Sequence, residues 1–173
     1  MIFQPVLYII GYLLSALSII LCIPAAVDAF YGDNQWQSFT FASLISLFFG
    51  IILILANKSD NFGISLKQAF LVTTLSWVFI AFFGSLPFIF SDLELSFTDA
   101  FFESMSGITT TGSTILSGLD NLPHGILIWR SLLQWFGGIG IVVIAIAFLP
   151  ILKVGGMQLF HTESSDSSEK VLP

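Results

Sequence analysis

Long uncharged runs alternate with short polar breaks along this chain. Residues 1–27 carry no charge, and the next uncharged runs are 36–57, 68–91 and 131–152, of 22, 24 and 22 residues. About 20 apolar residues span the hydrocarbon core of a bilayer as a helix, so the pattern predicts four membrane spans, at about 6–30, 36–57, 68–91 and 131–152. A secretory leader competes for the first run, but it calls for a basic start and a shorter apolar core; no Lys or Arg precedes Lys58. Pro24 predicts a kink or an early end to the first span, and Pro87 a bend in the last turn of the third.

Between the third and fourth spans lies FTDAFFESMSGITTTGST, residues 97–114. It reads as a short amphipathic helix, 97–107, that breaks near Gly107 into small hydroxylated residues around Gly112. Ten helical residues cover only about 15 Å, too little to cross. The sequence therefore predicts an all-α membrane protein with four transmembrane helices and one re-entrant pore helix and loop between the third and fourth.

Charge placement agrees. With a cytoplasmic N-terminus and a segment that dips and returns, Lys58, Lys67, Lys153 and Lys170 all fall on the cytoplasmic side, and the outer segments hold Asp33, Asp92, Glu94 and Asp120. That is the positive-inside arrangement. Residues 1–57 then form two leading helices, 58–67 a cytoplasmic loop, 68–152 a helix–pore loop–helix unit, and 153–173 a second, truncated cytoplasmic loop.

Composition narrows the function. Charged residues make up 9% of the chain and mean hydropathy is +0.95, against about 25% charged in soluble domains. Membrane lipid is the surrounding partner. A net charge of −6 excludes nucleic acid, whose phosphates need cationic neighbours. Cys22 is single, and His124 and His161 lie far apart, so neither a disulfide, a metal cluster nor a bound cofactor is expected, and no nucleophile–base pair marks an enzyme.

The loop carries the chemistry. Irregular backbone at membrane depth must be sheltered in protein or face water, and a dehydrated cation is one partner for its carbonyls. Thr110, Thr111, Gly112, Ser113 and Thr114 supply small side chains, hydroxyl oxygens and one flexible backbone position. Arg130 falls inside the last apolar region, where an unpaired charge is costly; Glu103 and Asp99 are its candidate partners, and Glu103 is the one expected to brace the loop. Potassium or sodium permeation is the leading function; a non-transporting membrane scaffold or assembly subunit is the alternative.

SGITTTGST, WRSLLQWFGGIGI and VGGMQLF together resemble the Trk/Ktr/HKT superfamily of potassium transporters, and the two leading helices resemble its Trk-type pore subunit. The resemblance covers nearly the whole chain. It implies potassium uptake across the bacterial cytoplasmic (inner) membrane, with residues 110–114 as the first ion selectivity filter segment and potassium at Thr110, Thr111 and Gly112. It also implies a homodimer of full-length subunits and a cytoplasmic nucleotide-binding regulatory subunit. Such subunits carry four helix–pore helix–helix repeats; one is present here, so the chain reads as an N-terminal fragment.

Overall fold

The computed structural model describes residues 3–58 and 65–152. Residues 59–64 of the expected first cytoplasmic loop, and all of the second at 153–173, lie outside the described residues. Five α-helices follow in order: α1 (Phe3–Tyr31), α2 (Trp36–Ala56), α3 (Leu66–Phe90), α4 (Phe97–Ile108) and α5 (His124–Leu152), with a 3-10 turn, Leu119–Asn121, before α5. Four of them, all but α4, are long and apolar enough to cross a membrane. Among the described residues there is no strand.

The structure departs from the sequence expectations at several ends. Pro24 does not end its helix early: α1 passes through it to Tyr31, while Pro87 lies in the last turn of α3, which ends at Phe90. α3 starts at Leu66 because Ser65 caps it: the Ser65 Oγ accepts the Gln68 N–H while the Gln68 Oε1 accepts the Ser65 N–H, a reciprocal capping box. α5 starts at His124, seven positions before the uncharged run, with Arg130 inside the helix.

Helices α1 and α2 form a tight pair. A β-carbon at Gly11 would stand 2.9 Å from the Gly50 carbonyl oxygen, and one at Gly50 would stand 2.6 Å from the Ser15 Oγ. Two glycines facing each other let the backbones touch, the usual device where lipid removes the hydrophobic incentive for helices to associate. Ser43 Oγ adds a hydrogen bond to the Ser18 carbonyl at 2.7 Å.

Polar contacts then gather four helix ends at one end of the bundle. Gly32, at φ 80°, ends α1, and the Asp33 N–H closes back on the Asp28 carbonyl at 2.9 Å. The carboxylates of the same turn meet the start of α5. Asp33 Oδ2 accepts the His124 N–H at 3.0 Å and lies 2.8 Å from its Nδ1, and Asp28 Oδ1 accepts the Gly125 N–H. The first N–H groups of a helix have no partner of their own and favour negative charge. Tyr31 stacks on the His124 ring with centroids 4.1 Å apart. The His124 ring, followed by its backbone N–H, holds the Asp33 carboxyl below the usual carboxylate range. That contact is thus in force above the ordinary carboxylate range and weakens as pH falls through the lowered value.

At the same end Gln35 links α2 to the residues after α3: its Nε2 donates to Asp92 Oδ2 at 2.7 Å and its Oε1 accepts the Asp92 N–H at 3.3 Å. Ser38 Oγ donates to the Phe90 carbonyl at 2.8 Å. The end of α1, the start of α2, the end of α3 and the start of α5 therefore share one end. Residues 91–123 leave that end and return to it.

The chain divides into two compact units, Met1–Gly138 and Ile139–Pro173. The glycine seam, the capping box and the bonds of the carboxylates all belong to the first. Of the second, the described part is the remainder of α5, helical to Leu152, with Ile139, Ile141, Val142 and Val143 exposed.

Replacing Gly50 with valine should push α1 from α2. The expected cost is about 1–3 kcal/mol, the usual range for overpacking, read as a lower thermal midpoint in detergent than the wild-type protein.

Candidate functional site

α4 is the one short α-helix among the described residues, and the site is built on it. Ser96 caps its start, accepting the Asp99 N–H at 3.2 Å while donating to Asp99 Oδ2 at 2.7 Å. Asp99 is thereby engaged at the helix start, where negative charge is favoured. Ala100, Glu103, Ser104, Gly107 and Ile108 are buried, at the spacing of one helical face.

That face enters a slot between α3 and α5 lined by small residues. A β-carbon at Gly84 of α3 would stand 2.7 Å from Ser104 Oγ, and one at Gly107 would stand 3.1 Å from Leu133 of α5. A β-carbon at Gly137 of α5 would collide with the Ile108 carbonyl. Trp129, fully buried, donates from Nε1 to the Gly84 carbonyl at 2.9 Å and joins α5 to α3 directly. Contrary to the expected break at Gly107, α4 runs through it to Ile108, and the glycine makes room for Leu133. Gly137 lies 13 residues into α5, so the end of α4 reaches roughly 20 Å along that helix from its first residue.

The helix ends in a hydroxyl-rich turn. Thr110 N–H bonds the Gly107 carbonyl and Thr111 N–H the Ser106 carbonyl, both at 3.0 Å, with Thr110 in the left-handed region at φ 57°. These two bonds make the Schellman closure of a helix C-terminus. A β-branched residue there costs about 1–2 kcal/mol relative to glycine. Thr109 Oγ1 donates to the Met105 carbonyl at 2.8 Å and lies 2.8 Å from Thr111 Oγ1. Gly112, at φ 78°, turns the chain back.

The return limb climbs along α4. Ser106 Oγ donates to the Ser113 carbonyl at 2.6 Å. One turn higher, Glu103 receives the rest. Thr114 Oγ1 lies 3.0 and 2.9 Å from its two carboxylate oxygens, Ile115 N–H donates to Oε2 at 3.1 Å, and Arg130 Nε donates to Oε1 at 2.6 Å. The Glu103 side chain is 2% exposed and that of Arg130 15%. Of its two candidate partners, Arg130 pairs with Glu103.

All of the expected loop residues, Thr110, Thr111, Gly112, Ser113 and Thr114, are exposed in this chain. Among the described residues no donor meets the carbonyls of Thr110, Thr111 and Gly112. The loop thus has three backbone oxygens without a donor among the described residues, and carbonyl oxygens are ligands that alkali cations take. No group of three or more His, Cys, Asp or Glu that could hold a metal ion occurs among the described residues. Sequence reasoning misses the roles of Thr109 and Ser106 and the partner of Gly137. The first two carry a signal, a serine and a threonine in the last turn of a helix, where hydroxyls bond nearby carbonyls; Gly137 reads as a site of close helix approach or bending, and the structure makes it the former, against Ile108.

The family model for TrkH, a cation transport protein, matches residues 35–171. The chain belongs to this family. It is 46% identical over 162 residues to the Trk system potassium uptake protein TrkH of Escherichia coli K12, covering 93% of this chain and 34% of the relative. It is 45% identical over 171 residues to the Trk system potassium uptake protein TrkI of Halomonas elongata, covering 98% and 34%. Among solved structures, the potassium transporter TrkH from Vibrio parahaemolyticus superposes with a TM-score of 0.85 at 40% identity, covering 96% of this chain and 36% of that one. The TrkH-family chain spans about a third of the length of these relatives. Its family and its four membrane-length apolar helices make it a multi-pass membrane protein.

Two neighbouring glycines separate packing from propensity. Gly137→Ala should destabilise by about 1–3 kcal/mol, because its methyl group meets the Ile108 carbonyl. Gly138, with nothing within 4 Å of a β-carbon, should accept alanine with no loss or a gain of up to about 1 kcal/mol. Thermal unfolding of the two variants in detergent checks the difference.

Proposed function

We propose that this TrkH-family segment forms one wall of the ion path in a Trk-type potassium uptake protein of the bacterial inner membrane. Potassium is dehydrated against the carbonyls of residues 110–114, chiefly those of Thr110, Thr111 and Gly112. The observation that carries this reading is that residues 91–123 start and finish at one end of the bundle, with α4 buried between α3 and α5. A segment that leaves and returns at one end, and whose helix is too short to span, fits a re-entrant pore helix with its filter loop. The end of α4 directs its negative dipole toward the loop, where it favours a cation.

The relatives named as potassium uptake proteins support the choice of ion. On the same reading the N-terminus and Lys58 and Lys67 are cytoplasmic, and the end that holds Asp33, Asp92, Glu94 and Asp120 faces outward. The full-length subunit pairs with a second copy and works with a cytoplasmic nucleotide-binding regulatory subunit, as the family resemblance implies.

Glu103 and Arg130 support the pore. Arg130 neutralises the buried carboxylate, and the carboxylate fixes Thr114 and Ile115. Exchanging the two charges would restore a pair but leave the Ile115 N–H without its acceptor, so the double swap should rescue poorly. Glu103→Gln keeps an acceptor and should be milder than Glu103→Ala.

Rubidium uptake by potassium-transport-deficient cells producing the full-length protein tests the function. Wild type should restore uptake. Arg130→Ala should abolish most of it, since breaking a buried pair costs about 3–5 kcal/mol. Absence of uptake from an intact, well-produced wild-type protein overturns the transport reading in favour of a scaffold.

A further inference from the structure

One face of α1 carries an open furrow of about 430 Å³, lined by Cys22, Ile23, Ala26, Val27, Phe30 and Tyr31. These residues form two neighbouring rows at the four-residue repeat of a helix, 22–26–30 and 23–27–31. The first row begins with two small side chains, Cys22 and Ala26, both exposed. The second is bulky throughout, so the surface dips beside it. Phe30 and Tyr31 stand at the head of the furrow, exposed, with their rings edge to face at 5.5 Å. The whole furrow belongs to a helix long and apolar enough to cross a membrane, so hydrocarbon is the solvent it meets.

Any exposed helix face meets lipid chains there. What singles this one out is the group beside its head. Tyr31 stacks on the His124 ring at 4.1 Å, and that ring lies 2.8 Å from Asp33 Oδ2. Both contacts from His124 go to Oδ2. Asp33 Oδ1 has no donor among the described residues, and the side chain is 29% exposed. With the carboxyl held below the usual range, Asp33 is charged at neutral pH. Exposed Tyr31 and Trp36 mark this level as the headgroup zone, where such rings gather. The rest of this end is acidic as well: Asp92 and Glu94 follow α3, and Asp120 precedes α5. Lys58 and Lys67 lie at the opposite ends of α2 and α3, and Arg130 is paired with Glu103. An anionic headgroup is repelled here, whereas a cationic one with N–H groups finds a charged acceptor with an oxygen to spare.

We propose that this furrow seats an acyl chain of phosphatidylethanolamine, whose primary ammonium is held by the free carboxylate oxygen of Asp33. The seat depends on the membrane spans and not on the ion path, so it stands or falls apart from the transport reading.

The test titrates the full-length protein in detergent with dioleoyl phosphatidylethanolamine, phosphatidylcholine or phosphatidylglycerol and follows the thermal midpoint. Phosphatidylethanolamine should raise the wild-type midpoint at the lowest concentration. Phosphatidylcholine, whose ammonium has no N–H, and the anionic phosphatidylglycerol should need roughly fivefold more, the upper end of what an exposed ion pair supplies. In Ala26→Leu the new side chain lies back over residues 22 and 23 and fills the furrow. It should leave the midpoint without lipid unchanged and abolish the preference. Ala29→Leu, exposed on the same helix outside the furrow, should keep it. Asp33→Asn retains an acceptor for His124 without the charge and should bring the three lipids level. A wild-type protein without preference for phosphatidylethanolamine overturns the proposal, as does a preference that survives Ala26→Leu or Asp33→Asn. A lower midpoint of Ala26→Leu without lipid overturns it too, by placing another stretch of the full-length chain in the furrow. Should Asp33→Asn fail to fold, the ranking of the three lipids and its loss in Ala26→Leu decide the matter.

Discussion

A carboxylate withdrawn from solvent must be neutralised and must have its oxygens filled, and in this chain Glu103 meets both demands with groups from two other segments. Arg130 supplies the charge and one donor; Thr114 and Ile115 supply the others. A carboxylate has room for about four such bonds, so the site is close to saturated. The result is geometric. α5 must lie beside the middle of α4, and the limb after Gly112 must rise to the level of Glu103. Removing any of the three partners leaves buried polarity that water at this depth cannot readily repair.

The glycines make that geometry possible. Gly84, Gly107 and Gly137 sit where α4 approaches its neighbours, and each lacks space for a side chain. Gly137 matters most, since it seats the final carbonyl of α4 against α5 and so fixes how deep the helix goes. Depth and height are thus set independently, the first by backbone contact at Gly137 and the second by the carboxylate at Glu103. The hydroxyl-rich turn between them is held at both ends.

The long helices were legible because twenty or more apolar residues in a row have few other uses, and the short helix because its apolar and small positions recur at helical spacing. The pairing of Arg130 with Glu103 was also within reach, since an arginine in an apolar region needs a carboxylate and few are present. Helix ends were not. α5 extends upstream of Arg130 because the charge that interrupts the hydropathy pattern is cancelled by a residue 27 positions away. Gly107 has the local character of a helix breaker, and only the position of Leu133 reveals its other use. The partners of Asp28 and Asp33 were not legible either, because nothing local announces that the N–H groups they accept lie 97 and 91 residues downstream.

Those two carboxylates stand far ahead in the chain of the helix start they bind. In the folded chain Asp28 is fully buried, with Oδ1 accepting the Gly125 N–H and Oδ2 without a hydrogen bond among the described residues. An α5 inserted the wrong way round would carry that N–H to the opposite side of the bundle and leave a buried carboxylate with no donor at all, a penalty of at least about 1–3 kcal/mol. The turn after the first helix therefore satisfies only the observed direction of a helix more than 90 residues later, the same direction that brings the chain back to the end of the bundle that residue 91 left.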